Sequence, residues 1–262
     1  MDNRNVLKGI DISYWQGKNF KIADHSPDFV IIRGGYGLTP DSCANNFIAQ
    51  AESLGIPWGI YWYSYALTVK GGTAEAGAAL KFLNGRKPPL GVWIDMEDAD
   101  NFKAKNGFPS NDTITIICRE FCAAMKERGL FTGIYASLSW FNTRIRDKEY
   151  PRWVAAWGWN DGVHYPDLRG QCIMHQYRGR PLDLDLIWDL SAFNIPPKYE
   201  QESDTETKNV TIDVEKIARE VIKGKWGNGL DRKNKLGAWF YSIVQNRVNE
   251  IYKKETGKNG AL

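Results

Sequence analysis

Short apolar or aromatic runs recur at fairly regular intervals along the chain: Gly9–Ser13, Phe29–Gly34, Pro57–Ser64, Leu90–Asp95, Phe131–Ala136, Arg152–Trp157, Cys172–Tyr177 and Leu182–Trp188. These eight runs predict strands. Between the early ones the apolar positions change to helical spacing. Ala44, Phe47, Ile48, Ala51 and Leu54 share one face, and the pattern stops at Gly55 ahead of Pro57. Residues 73–84 are rich in Ala, Leu and Lys, which predicts a helix with Thr73 as N-cap and Glu75 in its first turn. Ile114, Ile117, Cys118, Phe121 and Met125 line a third helix, closed by Gly129. Strand–helix alternation through the first two thirds predicts a parallel, barrel-like sheet. From residue 152 onward the strands follow too closely for full helices between them. The fold class is therefore α/β: an irregular (β/α) barrel with eight strands and fewer helices.

Pro196-Pro197 ends this pattern. Residues 198–209 carry no apolar periodicity and read as a flexible linker. Beyond it, Val214, Ile217, Ala218, Val221 and Ile222 mark one amphipathic helix and Val244, Val248 and Ile251 another, with the turn-rich Gly227-Asn228-Gly229 between them. The expected organisation is a barrel over 1–197, a linker over 198–209 and a small all-α module over 210–262.

Composition refines this picture. Hydrophobic residues at 43% and charged residues at 25% are ordinary for a globular protein, but 11 Trp, 12 Tyr and 11 Phe make aromatic content high. Aromatic faces stack on sugar rings, and large cores use the same residues. The net charge of +3 divides into +5 over residues 210–262 and −2 over residues 1–209. A basic tail fits an anionic partner or a solvated face. Cys43, Cys118, Cys122 and Cys172 form no C-x-x-C pair and no ligand cluster with the three histidines. Cys118 and Cys122 read as free, partly buried thiols, and no metal or other cofactor is expected. Met1-Asp2-Asn3-Arg4-Asn5 has no apolar signal region and no run approaches transmembrane length. The expectation is a protein held in a cytosol until something releases it, without membrane insertion.

The candidate chemistry lies at strand ends. In Trp93-Ile94-Asp95-Met96-Glu97, Asp95 and Glu97 alternate onto one face at the end of a buried run. Two desolvated acids repel each other, which raises one pKa and leaves the other group ionised. Glycosidic hydrolysis uses such a pair, a protonated acid beside a carboxylate. A solvated acidic strand end is the alternative, because Asp98 and Asp100 continue the acidity. Asp11 follows Gly9-Ile10, Asp183 and Asp185 alternate with leucines, Arg33 ends Val30-Ile31-Ile32, and Gln176-Tyr177 end Ile173-Met174-His175. In a barrel these ends converge at the C-terminal face of the sheet. Tyr61, Tyr63, Tyr135 and Trp157 are candidate cleft aromatics or plain core.

Gly9-Ile10-Asp11-Ile12-Ser13-Tyr14-Trp15-Gln16-Gly17, Trp93-Ile94-Asp95-Met96-Glu97 and His175-Gln176-Tyr177 with Leu182-Asp183-Leu184-Asp185 together resemble glycoside hydrolase family 25, the Chalaropsis-type lysozymes of phage endolysins and autolysins. Gly59-Ile60-Tyr61-Trp62-Tyr63 and Gly133-Ile134-Tyr135-Ala136-Ser137 resemble that family's central strands, and the likeness covers roughly residues 6–195. It implies an N-acetylmuramidase that cleaves the β-1,4 bond from N-acetylmuramic acid to N-acetylglucosamine in bacterial peptidoglycan. Glu97 is then the proton donor and Asp95 its partner, with Asp11 and Asp183 completing the acidic cleft. Asp185, where the family often has Asn, joins Arg33, Tyr61, Tyr63, Tyr135, Trp157 and Gln176 as expected substrate contacts. In the tail, Ile217-Ala218-Arg219-Glu220-Val221-Ile222, Gly224-Lys225-Trp226-Gly227-Asn228-Gly229 and Val244-Gln245-Asn246-Arg247-Val248-Asn249 resemble one CW_7 cell-wall-binding repeat. The implied protein is a phage endolysin in the host bacterial cytoplasm, released to the wall by a holin-type partner. A chitinase-like barrel is the first alternative, although such enzymes usually carry a further Asp where Trp93 stands. A non-catalytic wall-binding protein is the second. No motif supports nucleic-acid binding.

Overall fold

The computed structural model describes residues 6–188, 190–193, 214–228, 231–232 and 238–256. The chain divides into two compact units, Met1–Gln201 and Glu202–Leu262. The expected linker, 198–209, lies outside the described residues.

In the first unit, strands β1 (Leu7–Ile12), β2 (Phe29–Tyr36), β4 (Trp58–Tyr63), β5 (Val92–Asp95), β6 (Thr132–Ser137), β7 (Arg152–Ala155), β8 (Met174–Arg178) and β9 (Asp183–Ile187) form a closed barrel; β3 (Thr39–Pro40) is a short hairpin extension of β2. Apart from the antiparallel β2–β3 hairpin, pairing from β1 through β8 is parallel. The last strand departs from the parallel expectation: β9 is antiparallel to both neighbours, β8 and β1. Only Gly179 to Leu182 separate β8 from β9, too few residues for a parallel crossover, so the chain must fold straight back.

Strand alternation sorts the apolar residues into two layers. Ile10, Ile12, Val30, Ile32, Ile60, Val92, Ile94, Ile134 and Val154 face outward in one core with the helices, whereas Phe29, Ile31, Trp93, Trp153, Met174 and Ile187 fill the barrel. The interior is narrow for two indoles and a phenyl ring. A Cβ on Gly9 would stand 2.4 Å from the Phe29 ring, and one on Gly133 would stand 2.4 Å from the Trp93 ring.

Helices α1 (Ala44–Leu54), α2 (Val69–Leu83), α3 (Phe102–Lys105), α4 (Asn111–Glu127) and α5 (Leu138–Thr143) belong to this unit. The first and fourth fall where the spacing places them, with Gly55 in a left-handed cap after α1. The second begins before Thr73. Thr68 is its N-cap, accepting from Gly71 N at 3.1 Å, and the Thr73 hydroxyl donates back to Val69 O inside the helix. Gly71-Gly72 reads locally as a turn, yet a Cβ on Gly72 would meet Ile117 of α4 at 2.7 Å, so close helix contact selects glycine there. Cys118 and Cys122 are wholly buried on α4 rather than partly so, and their thiols are free.

The second unit contains α6 (Val214–Ile222) and α7 (Ala238–Thr256). Ala218, Val221, Val244, Val248 and Ile251 form its buried cluster, with Ile217, Ile222 and Trp226 at its edge. Arg232 is buried at 4% exposure and donates to Gly227 O, Asn228 Oδ1 and Gln245 Oε1, tying the turn to the second helix. Among the described residues, no helix is long and apolar enough to cross a membrane.

Gly133→Ala tests the interior layer. The added Cβ also meets Pro151 O at 2.5 Å, a backbone atom that cannot simply rotate away. The expected loss of stability is about 1–3 kcal/mol in urea denaturation. Wild-type stability would mean that the indole layer repacks freely.

Candidate active site

Each acidic side chain at the barrel mouth is aimed by strand geometry. Asp11 lies directly opposite Asp183 in the antiparallel β1–β9 register, and Gly9 lies opposite Asp185, so all three carboxyls point inward. Asp95 ends β5, and the ladder continues past it. Ser64 N donates to Asp95 O at 2.9 Å and Met96 N donates to Tyr135 O at 2.9 Å. The strand is thus held from both sides up to the residue before Glu97.

Gln176 on β8 organises the floor. Its Oε1 accepts from the Trp157 indole at 2.8 Å and from the Tyr135 hydroxyl at 3.0 Å. An indole N–H can only donate, so the amide has one orientation, with Nε2 donating to Asp11 Oδ2 at 2.7 Å. Trp153 Nε1 similarly donates to Asp185 Oδ1 at 2.8 Å.

These groups surround a cavity of about 200 Å³. Asp11, Asp95, Glu97, Asp183, Tyr61, Tyr135, Trp157 and Gln176 all line it, together with Trp153 and Ala99. Three expected site residues do not. Arg33 pairs with Asp41 (Nε to Oδ2, 2.8 Å) and lays its guanidinium over the Tyr14 ring at 4.5 Å, which fixes the loop after β2. Tyr63 turns its hydroxyl toward Asp100 at 3.4 Å. Asp185 is fully buried beneath the cleft, against Trp153. Of the two additions, Trp153 gives no signal beyond an apolar strand in the sequence, and Ala99 gives none. The tryptophans divide between core and surface: Trp62, Trp93 and Trp153 are wholly buried, while Trp15, Trp157 and Trp159 are 73%, 41% and 76% exposed.

Burial dominates the electrostatics. Asp11 is pushed well above the usual carboxylate range by burial and then by the charge of Asp185. Asp95 is pushed well up by burial and then by Glu97. Burial raises Glu97 to about 7, with Lys103 opposing the rise. Asp183 rises to about 8 through burial and then Asp11, and Asp185 to about 8 through burial. Glu97 is only half-buried, whereas Asp95 is 3% exposed and its Oδ1 has no hydrogen-bond partner. The arrangement can therefore keep an acid proton to neutral pH on a group that opens to the cavity, flanked by a second carboxyl.

Residues 10–183 match the sequence family of glycosyl hydrolases family 25. The chain belongs to that family. Residues 215–252 of this family 25 protein match the CW_7 repeat. A lysozyme of Streptococcus phage Cp-7 is 26% identical over 223 residues, covering 80% of this chain, and the chain spans 60% of that relative's length. Similar folds include the modular autolysin LytC of Streptococcus pneumoniae, solved with a synthetic peptidoglycan ligand (TM-score 0.60, 22% identity, 71% of this chain and 47% of that one). The catalytic domain of endolysin ply40 from bacteriophage P40 of Listeria monocytogenes is another (TM-score 0.59, 21% identity, 76% and 100%). A lysozyme of Streptomyces coelicolor is a third (TM-score 0.58, 24% identity, 74% and 99%).

The raised carboxyls of the family 25 domain set its stability against pH. A group such as Asp185 binds its proton more tightly folded than unfolded. Its contribution is therefore full below the ordinary aspartate range and is lost as pH rises through about 8. Asp183, at about 8, and Glu97, at about 7, act in the same direction. Thermal melts should show Tm falling from pH 5 to pH 9. Asp185→Asn keeps an acceptor for Trp153 and should flatten that slope and melt higher than wild type at pH 9. An unchanged slope would mean that Asp185 ionises in the ordinary range.

Proposed function

We propose that this chain is a peptidoglycan hydrolase, an N-acetylmuramidase that cleaves the β-1,4 bond between N-acetylmuramic acid and N-acetylglucosamine. The observation that carries the reading is the half-buried Glu97, holding its proton to about pH 7 over a cavity walled by Asp95, Asp11 and Asp183. Ionisation of either carboxyl of Asp95 and Glu97 disfavours ionisation of the other, which favours a single proton on the pair. Glu97 opens to the cavity and so delivers that proton to the glycosidic oxygen as the bond breaks. The Asp95 carboxylate then faces the positive charge that develops at the anomeric carbon, or orients the sugar's own acetamido group toward it. Asp11, held by Gln176, and Asp183 hold the sugar from the β1–β9 side, while Tyr61, Tyr135 and Trp157 offer ring faces and hydroxyls. Water completes the reaction and leaves a new reducing end on muramic acid.

Kinship supports the same reading, since the phage relative is a lysozyme and LytC was solved with a peptidoglycan ligand. The C-terminal unit, with its CW_7 match, holds the barrel on the wall and raises the local concentration of substrate. The biological role is that of an endolysin, held in the host bacterial cytoplasm and given access to the wall by a holin-type partner.

The test is digestion of purified peptidoglycan followed by borohydride reduction. Muramitol is expected. Glucosaminitol would reverse the bond cleaved, and no new reducing ends in a protein that binds walls would leave a binding protein. Glu97→Gln should lower turnover by about 10²–10⁴-fold without loss of fold, and retained activity would move the acid elsewhere. Arg232→Ala removes the tie between the turn and the second tail helix. It should weaken lysis of whole cells while leaving cleavage of soluble peptidoglycan glycan oligomers unchanged. Equal whole-cell lysis would reduce the tail to an accessory of folding.

A further inference from the structure

Lys103 on α3 is 1% exposed, and its ammonium donates to two backbone carbonyls, Ser64 O and Glu97 O, the latter at 2.7 Å. Ser64 follows β4 and Glu97 follows β5, so Lys103 bridges the seam just past the last ladder bond, Ser64 N to Asp95 O. There the two strand ends would otherwise present carbonyl oxygens to each other without a donor. Asp98 closes the connection from the other side. Its two carboxylate oxygens accept from Lys103 N at 2.7 Å and Ala104 N at 3.0 Å, so the helix that carries Lys103 is capped by the residue after Glu97.

A neutral donor could bridge two carbonyls without the cost of several kcal/mol that attends a buried charge. Acidic groups surround this ammonium from every side. Asp95 and Glu97 face it from the end of β5, Glu75 from α2, and Asp98 and Asp100 from the connecting loop. The Tyr63 ring of β4 lies 5.7 Å away, and the Cys118 thiol faces it from α4. Glu75 is itself committed to Ser64 Oγ at 2.6 Å and Tyr65 N at 2.7 Å. We propose that Lys103 is a positioning residue for the reaction, which fixes the backbone carrying Glu97 and supplies the positive charge facing the Asp95–Glu97 pair.

The charge matters because burial alone would protonate both carboxyls. Lys103 is the strongest influence favouring the ionised form of Asp95, ahead of Arg33, and it also opposes the upward shift of Glu97. By opposing both upward shifts, Lys103 favours the singly protonated pair, which is the state that acid-assisted cleavage requires.

This inference rests on the hydrolase reading, and its test separates the two. Lys103→Met and Lys103→Gln remove the charge; Lys103→Arg keeps it. The pH profile of kcat/KM on soluble peptidoglycan glycan oligomers should move to higher pH by about one unit on both limbs in the neutral variants, because loss of a nearby cation raises carboxyl pKa values. In Lys103→Arg the limbs should stay at their wild-type positions even where the rate is lower. A uniform fall in rate at every pH with unmoved limbs in a folded neutral variant would make Lys103 scaffold only, as would failure of all three variants to fold. Moved limbs in Lys103→Arg would equally overturn the charge role. An unmoved neutral variant beside an inactive Glu97→Gln removes this inference and leaves the hydrolase, whereas an active Glu97→Gln removes both.

Discussion

A carboxyl group taken out of water must keep its proton, find donors or face a cation. The mouth of this barrel buries Asp11, Asp95 and Asp185 and half-buries Glu97 and Asp183. The surrounding architecture answers that demand group by group. Gln176 donates to Asp11, Trp153 donates to Asp185, and the Lys103 ammonium sits behind Asp95. Phe29, Trp93 and Trp153 fill the barrel interior, at widths that leave only glycine beside two of the rings. The apolar interior and the acidic rim belong together, because burial of the carboxyls is what raises their pKa values.

The rim draws on residues with few neighbours in sequence. Tyr135 and Trp157 converge on one amide oxygen, and the amide's other end reaches Asp11 at the start of the barrel. Gln176 can play this part because an amide offers a donor and an acceptor on one planar group. A carboxylate in its place would present an acceptor to an acceptor at Asp11.

Much of this was legible in the sequence, and the exceptions have physical causes. Apolar runs mark strands because both faces of a barrel strand are buried, and the convergence of Asp11, Asp95, Glu97 and Asp183 follows from alternation and strand polarity alone. The direction of β9 is set by the four residues before it, too few for a parallel crossover. The start of α2 was hidden by Gly71-Gly72, whose meaning lies in Ile117, far along the chain. Arg33 looks like a strand-end cation free for substrate until the loop after β2 returns Asp41 to it. Asp183 and Asp185 are equivalent by alternation. Depth separates them: one borders the cavity and the other lies under it against an indole. Lys103 carries no signal, since a lysine in a polar loop is ordinarily solvated.

The antiparallel return of β9 also sets an order of assembly. Gln176 and Asp11 are 165 residues apart, and Asp183 lies further still from the strand it pairs with. A chain emerging from the ribosome can pair β1 with β2 early, but the other edge of β1 waits for β9, and such non-local closure is the slow part of folding. Asp95 on β5 and Glu97 just after it can take their places earlier, but Gln176 and Asp183 are not in place until nearly the whole barrel has been made. A truncated or half-made domain thus holds Asp95 and Glu97 without the Gln176 and Asp183 that line the same cavity.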